Sequence, residues 1–181
     1  MDHLKTGDLV MFSGKYWTSY TVRFLTWSKF SHCGMLLRDP ANLPKGLYLL
    51  QCDGTDQDFG VQLSLFSEYV EGYDGKVFVY PIQGVEPNSF DRLDEIYQQT
   101  QDIPYSLYPP DIVRVLNGGC FHRANTTQYF VCSTYTAYVY KQIGLLCPCN
   151  DWTLVQPKHL VEKSDTIMWQ NCSFGTPLQL K

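Results

Sequence analysis

Several things are missing from this chain of 181 residues. No apolar run approaches the roughly 20 residues a helix needs to cross a bilayer, so no transmembrane segment is expected. The opening Met1-Asp2-His3-Leu4-Lys5-Thr6-Gly7-Asp8 is polar and lacks the apolar core of a secretion signal. Basic residues are scattered singly and the formal charge is −4, which removes the electrostatic footprint of a nucleic-acid binder. There is no internal repeat and no low-complexity stretch. Only 18% of the residues are charged, against 44% hydrophobic and 15% aromatic, a composition that excludes a disordered chain and predicts a packed globule. The length suits one domain, 1–181.

Cysteine is present but odd in number, seven in all, so at least one thiol stays unpaired. Without an export signal, the expectation is reduced thiols in an intracellular, cytoplasmic compartment, and the triplets Asn125-Thr126-Thr127 and Asn171-Cys172-Ser173 are then accidental.

The pattern along the chain is α+β. Short strands are expected at Leu9–Phe12, His32–Leu37, Leu47–Cys52, Gly60–Leu65 and Lys76–Ile82. A helix is expected over Tyr16–Trp27 from Tyr16, Tyr20, Phe24 and Trp27 at helical spacing, and one helical turn over Ser67–Glu71. An amphipathic helix is expected over Ser89–Gln101, capped by Asn88 or Ser89. The loop-rich stretch 102–128 is the one best suited to cover a site. The tail from Ser173 shows no pattern.

Two residues carry chemistry. Cys132 opens a helical pattern that closes at Gly144, and His32 begins an apolar strand. A helix N-terminus presents unpaired N–H groups and partial positive charge, both of which favour a thiolate. An imidazole brought beside it completes a nucleophile and its general base. If strands His32–Leu37 and Leu47–Cys52 form a hairpin with Leu36 opposite Leu47, then His32 faces Gln51, whose amide oxygen can hold one ring N–H. Cys33 should point to the opposite face from His32 and serve packing.

Other readings stand beside this one. Buried thiols are common, so a structural Cys132 is the plain alternative. His159 follows the cysteine and is a rival base, better read as a residue of the Pro157 turn. Tyr105 is a candidate substrate contact through its hydroxyl, or a packed aromatic. Cys120-x-His122 and Cys147-x-Cys149 offer four zinc ligands, at single-residue spacings rather than the two to four typical of such sites.

The histidine-before-cysteine order is the reverse of papain's, and the chain resembles the circularly permuted, NlpC-type papain-like proteins of the YiiX-like bacterial and poxvirus branch. Thr6-Gly7-Asp8-Leu9-Val10 is similar to their opening strand, and Phe30-Ser31-His32-Cys33-Gly34 to their Ser-His-Val-Gly signature. Gly60-Val61-Gln62-Leu63-Ser64-Leu65-Phe66-Ser67-Glu68-Tyr69 matches the following strand and turn. Ile103-Pro104-Tyr105 matches the segment before the nucleophile, Val131-Cys132-Ser133 the Tyr-Cys-Ser motif, and Gln156-Pro157-Lys158-His159-Leu160 the Thr-Pro-x-x-Leu turn.

The resemblance implies a permuted papain-like fold, an antiparallel sheet against the nucleophile's helix. It implies Cys132 as nucleophile, His32 as base and Gln51 where many relatives carry glutamate. The implied activity is a cysteine peptidase or amidase working through a thioester, with no cofactor. Acyl transfer from a lipid, or a silent binding or virion-structural module, are the alternatives. Substrates would be peptide, isopeptide or acyl-lipid, and a viral chain would place the protein in or near the virion.

Overall fold

The computed structural model describes residues 3–15, 28–55, 58–106, 127–162 and 166–181. The expected helix over 16–27, residues 107–126 of the expected loop 102–128, and the candidate ligands Cys120 and His122 lie outside the described residues.

Six antiparallel strands form the central sheet: β1 (Leu9–Gly14), β2 (His32–Arg38), β3 (Leu47–Thr55), β4 (Asp58–Leu65), β5 (Gly75–Tyr80) and, late in the chain, β8 (Leu178–Gln179). Their order is β4-β3-β2-β1-β5-β8. A two-stranded ribbon joins β6 (Ile82–Gln83) to β7 (Ser173–Phe174). Helix α1 spans Phe66–Gly72, α2 spans Leu93–Thr100 and α3 spans Cys132–Gln142. The architecture is α+β, as the sequence pattern predicts.

Strand alternation divides the core in two. Leu9, Met11, Cys33, Met35, Leu50 and Cys52 face α2 and α3, meeting Leu93, Ile96, Tyr135, Val139 and Tyr140. Val10, Phe12, Leu36, Leu49, Val77 and Val79 face the other way and meet Phe66 and Val70 of α1. Burial of each large side chain contributes about 1.5–3 kcal/mol, which is why a sheet apolar on both faces takes helices on both. The Tyr140 hydroxyl donates to Gly7 O at 2.9 Å, and buried Asp8 accepts from the backbone N–H of Lys5 and Ile82, both at 3.0 Å. The Thr6-Gly7-Asp8 opening is therefore a latch between β1, β6 and α3.

Three expectations are corrected. The β2–β3 register is Leu36↔Leu49 and Arg38↔Leu47, two residues away from Leu36 opposite Leu47. Asp39 takes a left-handed φ of 52° and exchanges bonds with Gly46 at 2.8 Å, so β2 continues to Arg38 before the chain turns. A two-residue displacement keeps every side chain on its face. The expected helix over Ser89–Gln101 is a 3-10 turn at Pro87–Phe90 followed by α2, whose cap position is Arg92 with no side-chain bond. The expected strand Lys76–Ile82 is broken at Pro81, which has no N–H for a ladder.

Candidate active site

Cys132 is the first residue of α3, following Val131 in extended conformation at φ −110°. Valine has no polar atom to cap the helix, so the first-turn N–H groups receive no side-chain cap from that position. The turn is fixed by its neighbours: Thr134 Oγ1 accepts from Val131 N–H at 3.0 Å, and Ser133 Oγ donates to Val155 O at 2.6 Å. At the far end Gly144, with φ +78°, lets the chain leave the helix as expected.

The segment before the nucleophile is held beside it by backbone bonds. Ser106 N–H donates to Phe130 O at 2.7 Å and Phe130 N–H to Pro104 O at 3.2 Å. Tyr105 thus runs next to the start of α3. Its ring lies over Gly54, where a Cβ would come within 2.7 Å of Cδ1, and meets Phe59 edge-on at 6.2 Å.

His32 is half-buried at the head of β2, tilted against Phe12 at 5.3 Å and stacked on Tyr69 of α1 at 6.5 Å. Its Nε2 is 2.7 Å from Gln51 Oε1. Gln51 is fully buried, and its amide nitrogen donates to Ser64 Oγ at 3.4 Å. The expected His32–Gln51 pair therefore exists, as diagonal neighbours on one face instead of direct opposites. The structure also brings His32 and Cys132 together, close enough for each to shift the other's charge.

Each shifts the other. Burial opposes a proton on His32, yet the charges of Cys132 and Asp53 and the bonds from Cys132 and Gln51 outweigh it, raising the ring from 6.5 to about 9. A bond from the Cys33 thiol is the largest influence on Cys132; with His32 it overcomes burial and holds Cys132 well below 9.0. The pair is arranged as thiolate and imidazolium.

No known family profile matches the chain, and no curated protein matches it in sequence. Among solved structures it is similar to the metalloprotein YiiX from Escherichia coli O157:H7, a domain of unknown function, with a TM-score of 0.57 and 18% identity over 77% of this chain. The fold is YiiX-like. The match spans 66% of the YiiX chain, just under two thirds of its length.

That neighbour is described as a metalloprotein. In the present YiiX-like fold no three His, Cys, Asp or Glu side chains converge in a metal-holding group among the described residues. Cys147 and Cys149, half of the weighed zinc set, are joined as a disulfide with their Cα atoms 5.2 Å apart, a separation such a bridge accepts. This corrects the expectation of reduced thiols for that pair; Cys33, Cys52, Cys132 and Cys172 are free.

His159 is not brought to the site. Its Nδ1 accepts from Gln156 N–H at 3.2 Å within the 3-10 turn Pro157–Leu160. Cys33 packs in the core facing α3 as expected, and adds a contact not foreseen: its sulfur is 3.6 Å from Thr136 Oγ1, one turn after Cys132. Two more residues of the site went unread in the sequence. Asp53 and Tyr69 are joined by a 2.9 Å bond from the Tyr69 hydroxyl to Oδ2. Asp53-Gly54 looks like a turn that ends a strand, whereas β3 runs on to Thr55. The signal available was position: Asp53 lies two residues after Gln51, on the same face of the strand.

Proposed function

We propose that the chain is a single permuted papain-like domain acting as a cysteine-dependent hydrolase, a peptidase or amidase that cleaves an amide through a thioester. The observation carrying this reading is the meeting of Cys132, at a helix start, with His32, whose ring is held by Gln51. The Cys132 thiolate attacks the carbonyl carbon. The first-turn N–H groups of α3, that of Cys132 included, face the developing oxyanion. His32 then gives its proton to the leaving amine, the C–N bond breaks and the acyl group remains on sulfur. Water, deprotonated by the now neutral His32, releases the acid and restores the pair.

Tyr105, which runs beside the start of α3 and meets Phe59 edge-on, would contact the substrate flanking the carbonyl. Peptide and isopeptide amides are the substrates this chemistry suits, within a cell or a virion.

A second reading, acyl transfer from a lipid, is favoured by one feature. A cavity of about 290 Å³ is lined by Ser13, Lys15, Lys29, Lys76 and Phe78. It opens at the sheet end that carries His32, since Phe12 pairs with His32 and Ser13 with Lys76. Three ammonium groups against the single Asp74 carboxylate, 3.6 Å from Lys15, suit the phosphate of an acyl donor.

The test is the pH-rate profile of iodoacetamide labelling, mapped by mass spectrometry. A Cys132 midpoint well below the roughly 8.5 of a free cysteine, lost in His32→Ala, supports the enzyme. A midpoint of ordinary height leaves a silent binding module. Acyl-Cys132 accumulating from a phospholipid but not from a peptide ester selects the second reading.

A further inference from the structure

We infer that Asp53 is the charge partner of His32, a positioning carboxylate that supplies from β3 the negative charge that neutral Gln51 lacks. The inference deepens the thiol–imidazole reading above and rests on it. Three observations converge on it.

The first is register. Continuing the Met35↔Leu50 pairing outward sets Gly34 opposite Gln51 and His32 opposite Asp53. A Cβ on Gly34 would lie 3.2 Å from the Gln51 Cβ, as that extension requires. Gln51 is then the diagonal neighbour of His32 and Asp53 the direct one, both on the ring's face.

The second is the carboxylate's own setting. Asp53 is 8% exposed. Oδ1 accepts from Gly54 N–H at 2.7 Å and Oδ2 from the Tyr69 hydroxyl at 2.9 Å. Burial and the neighbouring Asp53 raise Tyr69 far above its ordinary range, so its O–H stays a donor. Tyr69 is also stacked on the His32 ring. One tyrosine therefore fixes both the imidazole plane and the carboxylate beside it.

The third is charge balance. The ion pairs among the described residues, Lys15–Asp74 and Arg92–Glu95, leave Asp53 with no Lys or Arg. A buried carboxylate requires a compensating positive charge, and among the described residues the His32 ring is a basic group in electrostatic contact with it. Among the described residues, the titratable groups around that ring are Cys132 from α3, Asp53 from β3, Tyr69 from α1, Cys33 from its own strand, and Tyr105 beside Cys132; β1 contributes Phe12. Of these, Cys132 and Asp53 bring negative charge to the ring, and Asp53 alone is a carboxylate. Gln51 orients the ring through Nε2, and Asp53 sets how firmly it keeps its second proton.

The test follows the His32 ring by NMR across pH in the full chain, which needs no substrate. Asp53→Asn, nearly isosteric, is expected to move the ring's titration to lower pH by about one unit or more. Adding Gln51→Glu re-sites the charge two residues along the same face and is expected to restore it. If Asp53→Asn alone fails to fold, the double variant is expected to fold and to titrate like the parent.

An unmoved titration in Asp53→Asn, or a double variant that neither folds nor titrates normally, overturns the inference. It would do so without touching the thiol–imidazole reading, which stands or falls on whether His32→Ala changes the Cys132 alkylation profile.

Discussion

Gln51 Oε1 sits 2.7 Å from His32 Nε2, and that contact decides which nitrogen meets the thiol. An amide oxygen only accepts, so Nε2 keeps a hydrogen and Nδ1 is the nitrogen left for Cys132. Gln51→Leu keeps the size and removes the acceptor. Alkylation of Cys132 at about pH 6 should slow by roughly tenfold, because each unit of lost thiolate stabilisation is a tenfold loss of thiolate below its midpoint. Gln51→Glu should react at least as fast as the parent. Equal rates in all three proteins would mean the amide does not orient the ring.

Cys33 gives a second handle on the same thiolate. Its S–H bond is the largest influence holding Cys132 in the ionised form, while burial and proximity to Cys132 keep Cys33 itself protonated. Cys33→Ala should therefore raise the Cys132 alkylation midpoint, and Cys33→Ser, which retains a donor, should raise it less. Both leave a small space in the core at a cost of about 1 kcal/mol, readable separately as a lower melting temperature. A midpoint unchanged in Cys33→Ala would remove the donor role.

The pair also predicts how stability follows pH. The raised His32 contributes stability that is complete below 6.5 and is lost as pH rises toward about 9. The depressed Cys132 contributes stability that is complete above 9.0 and is lost as pH falls toward its lower folded value. Between about 6.5 and 9 these trends cancel, since the folded ion pair and the separated neutral groups each bind one proton. Below 6.5 the unfolded chain takes a second proton that the folded pair refuses. Stability from this site should then fall by up to about 1.4 kcal/mol per pH unit. Urea unfolding of the parent and of Cys132→Ser between about pH 5 and 8 checks this: the acid slope should shrink in the variant.

The strand-rich pattern and the chemistry-bearing positions were legible because they follow from local rules. Alternation marks β2 and β3, and a cysteine before a glycine-closed helical run marks α3. Cys132 and His32 stood out as chemistry-bearing positions on these grounds, whereas Gln51 was reached through a register that the structure moves by two residues. Less was readable where a long-range contact overrides a local signal. Asp53-Gly54 has turn chemistry, yet β3 continues through it because Tyr105 packs on the bare Gly54. The register followed from Asp39's left-handed turn, which no hydrophobic pattern encodes. Strands β7 and β8 are two residues each, too short for alternation to register, and are defined by the strands they pair with.

That same glycine tests how the wall beside the thiol is built. The β3–β4 hairpin presents Gly54 and Gly60 toward the segment 103–105. A Cβ at Gly54 would meet the Tyr105 ring at 2.7 Å, and one at Gly60 would meet Ile103 O at 2.6 Å, with φ at +137°. Gly60→Ala thus adds backbone strain to a clash with a backbone oxygen and should destabilise the fold by about 1–3 kcal/mol, read in urea. Gly54→Ala meets only a side chain, which can swing aside, so most of the stability should remain while the Tyr105 ring is displaced. The expected signature is a higher KM for an amide or ester substrate with little change in the Cys132 alkylation profile. If KM is unaltered while Tyr105 has demonstrably moved, the ring packs the hairpin and plays no part in holding substrate.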